Sequence, residues 1–281
     1  MIARYYDWLS RYQRVAGWAT RAGRSGLTVH RRLAGGPRAP DGDGVHAALA
    51  AALGALPDAP RVIDAGCGLG ATTFFLHGRF GGEYDGLTLS AAQRDRAAAA
   101  ARRGGVSRAC RFHVRDFDAG VEDLVPAGAD LVVAIESLAH APDPLRSVAT
   151  LAAAVGPGGR FVIVDDVPQA GLGDDDPDLV QFRAGWRCPV VARLSELRVA
   201  LGAGGLTVVH DEDLTPRVVL RGRAALERLV RANRGIRRWA GAGGSGLVLD
   251  ALHGGLMLER LYRRGVMQYR LLVARRVRTV A

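Results

Sequence analysis

The chain of 281 residues contains no lysine, so all 38 of its Lys and Arg residues are arginine. This absence excludes a lysine Schiff base and a Walker A phosphate loop, because both need that side chain. The three cysteines form no CxxC pair, so we expect neither a disulfide framework nor a zinc ribbon, and no metal ligands are assigned. No run of about 18 uncharged apolar residues and no secretory signal are found, which predicts a cytoplasmic protein without a membrane span.

The formal net charge is +10. An excess of positive charge can attract nucleic acid, a membrane surface or a phosphorylated small molecule. A solvated surface biased towards arginine is the simpler explanation, because charge alone does not specify a partner. No patch of interleaved aromatic and basic residues is evident, so nucleic acid is not an expected partner.

Apolar strand-like runs alternate with helical patterns from residue 61 onwards. This alternation predicts an α/β fold with helices on both faces of a sheet. The predicted strands are 61–65, 84–89, 109–114, 131–135, 160–164, 206–210 and 266–275. The predicted helices are 70–79, 91–103, 143–155 and 193–201, with a turn at 156–159.

A glycine-rich turn follows the first predicted strand and carries the most informative motif. It contains Asp64, Gly66, Cys67, Gly68 and Gly70 in a D-x-G-x-G-x-G pattern. Closely spaced glycines let the backbone turn sharply and approach a ligand where a Cβ atom would collide. The third glycine is not spaced as in the dinucleotide-binding fingerprint G-x-G-x-x-G.

This pattern resembles the first motif of class I S-adenosylmethionine (SAM) methyltransferases. The resemblance implies a Rossmann-like sheet of seven strands whose last strand is antiparallel, and SAM as the cofactor. It also implies that Asp64 holds the turn or the methionine amino group, while the glycines and Cys67 pass under the ligand. The alternative is any glycine-rich turn of an α/β protein.

The segment from Thr88 through Leu89 and Ser90 to Gln93 resembles a subset of these enzymes. The subset includes cyclopropane fatty-acid synthases and the sterol, tocopherol and geranyl diphosphate methyltransferases. Most class I enzymes place an acid where this chain has Thr88. In the subset, Thr and Gln share the contact with the ribose, which is therefore implied for Thr88 and Gln93. An ordinary strand end with Ser90 as a helix N-cap is the alternative.

Asp116 and Phe117 follow the third predicted strand. The resemblance implies that Asp116 accepts a hydrogen bond from the adenine amino group and that the backbone of Phe117 meets the ring. A carboxylate is a suitable acceptor for an exocyclic amine. The alternative is a loop acid that pairs with Arg115.

Glu136 and His140 follow the fourth predicted strand and are the candidate catalytic residues; Glu136 also borders the cofactor. With an alkene acceptor, Glu136 would stabilise a carbocation and then help to remove a proton. With a hydroxyl or amine acceptor, His140 would take the proton. A histidine bonded to backbone at a helix start is an equally good explanation of His140. No Asn-Pro-Pro-Tyr type of tetrapeptide follows this strand, which further disfavours nucleic-acid methylation.

Two stretches lie outside the predicted core, and we expect a helical N-terminal cap at 1–45 and a helical insertion at 213–265 within a SAM-binding domain at 46–281. The arginines of the insertion, at positions 228, 231, 234 and 238, would share one helix face. Such a face could bind a diphosphate, with Asp174-Asp175-Asp176 meeting a bridging Mg²⁺, but a solvated helix face and a solvated acidic loop are the favoured explanations.

We therefore expect a methyltransferase acting on a small molecule of secondary metabolism. C-methylation of a prenyl or similarly apolar acceptor, with or without a diphosphate, is the leading interpretation. The alternatives are O- or N-methylation through His140 and a non-catalytic SAM-binding partner subunit. Mg²⁺ would be needed only for a diphosphate acceptor. The oligomeric state is not determined by the sequence, and a homo-oligomer is compatible with it.

Overall fold

In the computed structural model, the described residues are 30–34, 44–238 and 244–277. They contain a single sheet whose strands are β1 (Arg61–Ala65), β2 (Glu83–Thr88), β3 (Cys110–Val114), β4 (Ala129–Ile135), β5 (Val155–Pro168), β6 (Leu206–Asp213) and β7 (Met267–Arg276). The order across the sheet is β3-β2-β1-β4-β5-β7-β6. The first five strands are parallel, and β7 runs antiparallel to both β5 and β6, as predicted.

Eight α-helices lie in the described ranges. They are α1 (Gly44–Leu53), α2 (Ala71–Phe80), α3 (Ala91–Arg103), α4 (Pro144–Ala153), α5 (Pro177–Trp186), α6 (Leu194–Ala203), α7 (Arg223–Arg237) and α8 (Gly244–Arg263). Helices α4 and α6 cover one face of the sheet, and the other six contribute to the apolar cluster on the opposite face. None of these helices is long and apolar enough to cross a membrane.

The central strands are buried on both faces, which is why they appear in the sequence as continuous apolar runs. Successive residues of one strand join opposite clusters, since strand side chains alternate between faces. Val62 of β1 packs in the larger cluster and Ile63 in the smaller one, and Val133 and Val132 of β4 divide in the same way.

Strand β5 begins earlier than predicted, because the glycines at 156–159 form extended chain rather than a turn. A Cβ atom on Gly159 would lie 2.5 Å from the carbonyl oxygen of Ala129, and one on Gly128 would lie 2.4 Å from Gly156 Cα. The glycines therefore allow a close approach of β5 to the start of β4, where the pairing register shifts. Helices α1 and α5 were also missed, although Asp176 caps α5 and Pro177 begins it.

Residues 30–34, here named the strap, run antiparallel to the segment after β6. Leu33 bridges Val218, and backbone hydrogen bonds join Ala34 N to Arg217 O at 2.6 Å and Val219 N to Arg32 O at 2.9 Å. The strap contains no helix, and most of the predicted N-terminal cap at 1–45 lies outside the described residues. The insertion between β6 and β7 is helical, as predicted, and consists mainly of α7 and α8. The division into a cap and a SAM-binding domain stays a prediction.

Candidate active site

The glycine turn connects β1 to α2 at the carboxyl edge of the sheet. Its three glycines all have positive φ, but they have different surroundings. A Cβ atom on Gly66 would lie 2.4 Å from Ser137 Cβ, and one on Gly70 would lie 2.9 Å from the Phe112 ring. A Cβ atom on Gly68 would meet nothing within 4 Å. Gly66 and Gly70 are thus required by protein packing, and Gly68 faces open space, which a cofactor can occupy.

Asp64 ends the apolar part of β1 and is almost fully buried. Its Oδ2 atom accepts a hydrogen bond from the Thr73 hydroxyl at 2.6 Å, so the acid ties the turn to α2. Burial raises the pKa of Asp64 to about 6, against the opposing effects of Thr73 and of His30 on the strap. A cationic amino group placed here would lower that pKa again, which fits the predicted contact with the methionine end of SAM.

Thr88 and Gln93 lie side by side at the end of β2 and the start of α3. The Thr88 hydroxyl donates to Gln93 Oε1 at 2.7 Å and accepts from the backbone N–H of Ser90 at 3.2 Å. Ser90 caps α3 by accepting from Gln93 N at 3.1 Å. The N-cap proposed as the alternative is therefore present. It is compatible with the predicted ribose contact, because the cap positions both Thr88 and Gln93. Leu89 lies between them and is half-buried, and Cys67 is buried in the glycine turn.

Asp116 and Phe117 lie at the neighbouring strand end, after β3. Asp116 is exposed, and its Oδ1 atom accepts from Asp118 N at 3.0 Å, which starts a short 3₁₀ turn over Phe117–Ala119. Arg115 does not pair with Asp116: its guanidinium binds both carboxylate oxygens of Asp123, at 2.8 and 2.6 Å. The alternative explanation of Asp116 as the partner of Arg115 is therefore wrong, and its contact with adenine stays a prediction.

Glu136 follows β4 directly and has a positive φ of 50°. A left-handed conformation costs a non-glycine residue about 1–2 kcal/mol, so the surroundings must hold it in place. Its Oε1 atom accepts from the Tyr269 hydroxyl at 2.7 Å and from the backbone N–H of Arg31 at 2.9 Å. These two bonds direct the carboxylate across the carboxyl edge of the sheet, between the strap and β7.

The Arg31 side chain extends from the strap into a group of three aromatic rings, here named the cage. Its guanidinium carbon lies 5.5 Å from the ring centroid of Trp186, 5.3 Å from that of Tyr262 and 5.6 Å from that of Tyr269. An Nη2 hydrogen bond joins it to Asp166 on β5. Burial disfavours the charge, but Asp166 and Glu136 favour it and raise the pKa of Arg31 well above its ordinary value. Arg31 is therefore a cation held by carboxylates and π faces.

Asp165 and Asp166 are adjacent buried acids near the end of β5. Asp166 accepts from Arg31 and from the Tyr262 hydroxyl, whereas Asp165 Oδ2 has no hydrogen-bond partner among the described residues. Burial and the neighbouring Asp166 raise the pKa of Asp165 to about 8. Asp165 is thus mainly a neutral acid at pH 7. Burial also raises the pKa of Asp166, although Arg31 opposes that shift.

His140 lies close to these acids, but its ring contacts residues at the C-terminal end of α5. Its ring makes hydrogen bonds to the backbone of Trp186 and Arg187, and its Nδ1 atom is 3.7 Å from Cys188 Sγ. Desolvation lowers the pKa of His140 to about 4 despite the opposing charge of Glu136. The ring is therefore neutral at pH 7 and a weak base, and its contacts position the C-terminal end of α5, which carries Trp186.

Seven of the arginines in the helical insertion fall into two groups. Those at 228, 231, 234 and 238 are exposed. Three others are used in ion pairs: Arg221 with Glu259, Arg260 with Glu227 and Arg264 with Asp176. These pairs join α5, α7 and α8, so the second group has a structural role.

The acidic run Asp174-Asp175-Asp176 does not form a metal centre. Asp176 caps α5 and pairs with Arg264, and Asp174 pairs with Arg193. Within residues 30–34, 44–238 and 244–277, no group of three or more His, Cys, Asp or Glu side chains could hold a metal ion.

Comparison with known proteins indicates the same fold class as the strand order of the sheet. Residues 63–161 match the family described as "Methyltransferase domain". This stretch is similar to a methyltransferase domain. The domain has relatives in the group that the motifs resemble: the probable tocopherol O-methyltransferase of Oryza sativa subsp. japonica is 38% identical over 119 residues, or 40% of this chain. That stretch is 32% of the relative's length, and the match to the Arabidopsis thaliana protein covers 29%.

Solved structures share the fold of the chain. Geranyl diphosphate C-methyltransferase from Streptomyces coelicolor A3(2) has a TM-score of 0.70 at 22% identity, covering 98% of this chain and 96% of that one. The [4+2]-cyclase SpnF has a TM-score of 0.73 at 22% identity, covering 99% and 96%. The class I fold and the resemblance inferred from the motifs are confirmed.

Five residues that surround Glu136 and the cage were not predicted. They are Arg31, Asp166, Trp186, Tyr262 and Tyr269. Only Asp166 had a readable signal, since Asp165-Asp166 ends an apolar strand just as Glu136 does. The other four meet through long-range packing of the strap, α5, α8 and β7.

Proposed function

We propose that the chain is a cytoplasmic SAM-dependent methyltransferase of small molecules. Its acceptor is a carbon atom of a prenyl or similarly apolar compound of secondary metabolism. The observation that carries the choice of carbon is the position of Glu136. The carboxylate directly follows β4, and Tyr269 and the strap hold it next to the aromatic cage.

The donor side would use the residues that the motifs single out. The open space at Gly68 fits a cofactor, Asp64 would take the methionine amino group, and Thr88 with Gln93 would bind the ribose. Phe117 and Asp116 would meet the adenine. When bound, SAM supplies an electrophilic methyl group on a sulfonium.

Gly68→Ala tests the donor side, and Gly54→Ala is its matched control. Both glycines have positive φ and open space around an added Cβ atom, so the backbone strain of the two variants is similar. Gly68→Ala should weaken SAM binding at least about tenfold in calorimetry, whereas Gly54→Ala should not. Equal affinity in the two folded variants would contradict the cofactor position.

With an alkene as the acceptor, methylation of carbon would proceed in two steps. The π electrons of the alkene form the new C–C bond while the C–S bond of the donor breaks and its electrons stay on sulfur. The positive charge left on the acceptor would be stabilised by the Glu136 carboxylate. Glu136 then accepts a proton from the adjacent carbon, which restores a double bond.

O-methylation is the second candidate, because the tocopherol relatives carry that name. It requires a base for the hydroxyl proton, and His140 is poorly suited to this role. Its pKa of about 4 makes it weak, and its ring is already bonded to the backbone of Trp186 and Arg187.

One experiment separates these candidates. The purified chain is incubated with methyl-labelled SAM and pooled prenyl diphosphates, sterols, quinols and polyketide alcohols, with and without Mg²⁺. The proposal expects a labelled product with a new C–CH₃ bond by NMR. A methyl ether would transfer the assignment to O-methylation, and SAM binding without any product would favour a non-catalytic partner subunit.

A further inference from the structure

We propose that the cage and its two carboxylates form a binding site for an organic cation, of the guanidinium or methylated ammonium class, which the chain's own Arg31 fills in this structure. The site would admit an acceptor, or another ligand, that carries positive charge where the Arg31 head group lies. The inference goes beyond the proposed function, because it concerns binding and does not require methyl transfer to carbon.

The geometry of the cage is that of a cation site. Three electron-rich ring faces lie within 5.6 Å of one guanidinium carbon. Rings at such distances attract a cation through their quadrupoles, and more strongly when the site is desolvated. The rings come from α5, α8 and β7, which are packed in the core, so the cage exists independently of the strap.

The carboxylates add charge to the same position. Asp166 is fixed by the Tyr262 hydroxyl, and Glu136 is fixed by the Tyr269 hydroxyl, so each acid is directed by a member of the cage. Two acids thus face one arginine. A cation bound here would replace the charge of Arg31 without leaving either acid unpaired.

Arg31 fits the cage as an exchangeable occupant. Its buried Nε atom has no hydrogen-bond partner among the described residues, so the guanidinium does not satisfy all its donors there. Among the described residues, backbone hydrogen bonds from Ala34 N to Arg217 O and from Val219 N to Arg32 O join the strap to the body, and Arg31 N donates to the Glu136 carboxylate. A ligand with complementary charge could displace this side chain while the cage stays in place.

The test measures binding of choline to Arg31→Ala, with S-adenosylhomocysteine saturating the cofactor site. The neutral isostere 3,3-dimethyl-1-butanol has the same shape without the charge. Calorimetry should show choline binding at least about tenfold more tightly than the alcohol, and at least about tenfold more tightly than wild type binds choline. Arg32→Ala changes an exposed neighbour on the strap and should behave as wild type.

Arg31→Gln provides a second variant with a shorter neutral side chain that can still donate to Asp166, in case Arg31→Ala does not fold. Equal binding of choline and the alcohol would overturn the inference, as would absence of choline binding to both folded variants or the same gain in Arg32→Ala. Choline binding without any C-methyl product would leave this inference intact and refute only the proposed function.

Discussion

Glu136→Gln is the substitution that most directly examines the proposed chemistry. Glutamine keeps an oxygen that can accept from the Tyr269 hydroxyl and the Arg31 backbone, so the side chain should stay in place. The charge is lost. Two unit charges about 4 Å apart interact by about 4 kcal/mol at an effective dielectric constant near 20, which sets the upper limit. We expect a loss of about 2.7 kcal/mol of transition-state stabilisation, or roughly a hundredfold in kcat.

The assay follows release of S-adenosylhomocysteine with the accepted substrate, and calorimetry measures SAM affinity in parallel. Tyr269→Phe is the matched control, because it removes one hydrogen bond to Glu136 but keeps the charge; it should cost about 1 kcal/mol, or roughly fivefold. If Glu136→Gln retains kcat within threefold of wild type, the carboxylate does not stabilise the transition state. A parallel loss of SAM affinity would mean that Glu136 acts on the donor instead.

The remaining predictions concern His140, Thr88 and Asp165. His140→Ala should leave the shape of the pH profile of kcat/KM between pH 6 and 8.5 unchanged, because a pKa of about 4 keeps the ring neutral there; an inflection near pH 6.5 that the variant abolishes would restore His140 as the base. Thr88→Val deprives Gln93 of its partner and should weaken SAM binding by about 1–3 kcal/mol in calorimetry, whereas the exposed Thr207→Val should have no effect. Asp165 has a folded pKa of about 8 against an ordinary 3.8, so the folded state binds more protons and stability falls as pH rises through that window. Urea unfolding should show that Asp165→Asn removes a decline on the order of 2 kcal/mol between pH 6 and pH 8, whereas the exposed Asp175→Asn keeps it; unchanged pH dependence in Asp165→Asn would disprove the shift.

Local signals made much of the structure around the end of β2 and the start of α3 predictable. The helix over 91–103 was predicted with its observed bounds, since Ser90 caps its start and Gly104 follows its end. Thr88 and Gln93 were expected to act together, and they form a hydrogen bond. Such features depend on residues a few positions apart, where spacing alone determines which side chains meet.

The acceptor side depends on contacts that no spacing rule contains. Arg31 contacts Trp186 and Tyr269, which both lie more than a hundred residues later in the chain. The course of the strap depends on its bridge to Val218, which is a tertiary contact. Likewise, Gly156 was assigned to a turn because glycine-rich sequence is typical of turns, whereas its close packing against Gly128 becomes visible only once β4 and β5 are paired.

The left-handed backbone of Glu136 has an evolutionary consequence. Glycine adopts a φ of 50° without the cost of about 1–2 kcal/mol that a side chain imposes, so Glu136→Gly would release strain while removing the carboxylate. The same change would leave the Tyr269 hydroxyl and the Arg31 backbone N–H without their acceptor, which offsets the released strain. A lineage that ceased to use the site would therefore gain little stability by losing Glu136, so replacement of this residue would signal that its carboxylate was no longer needed.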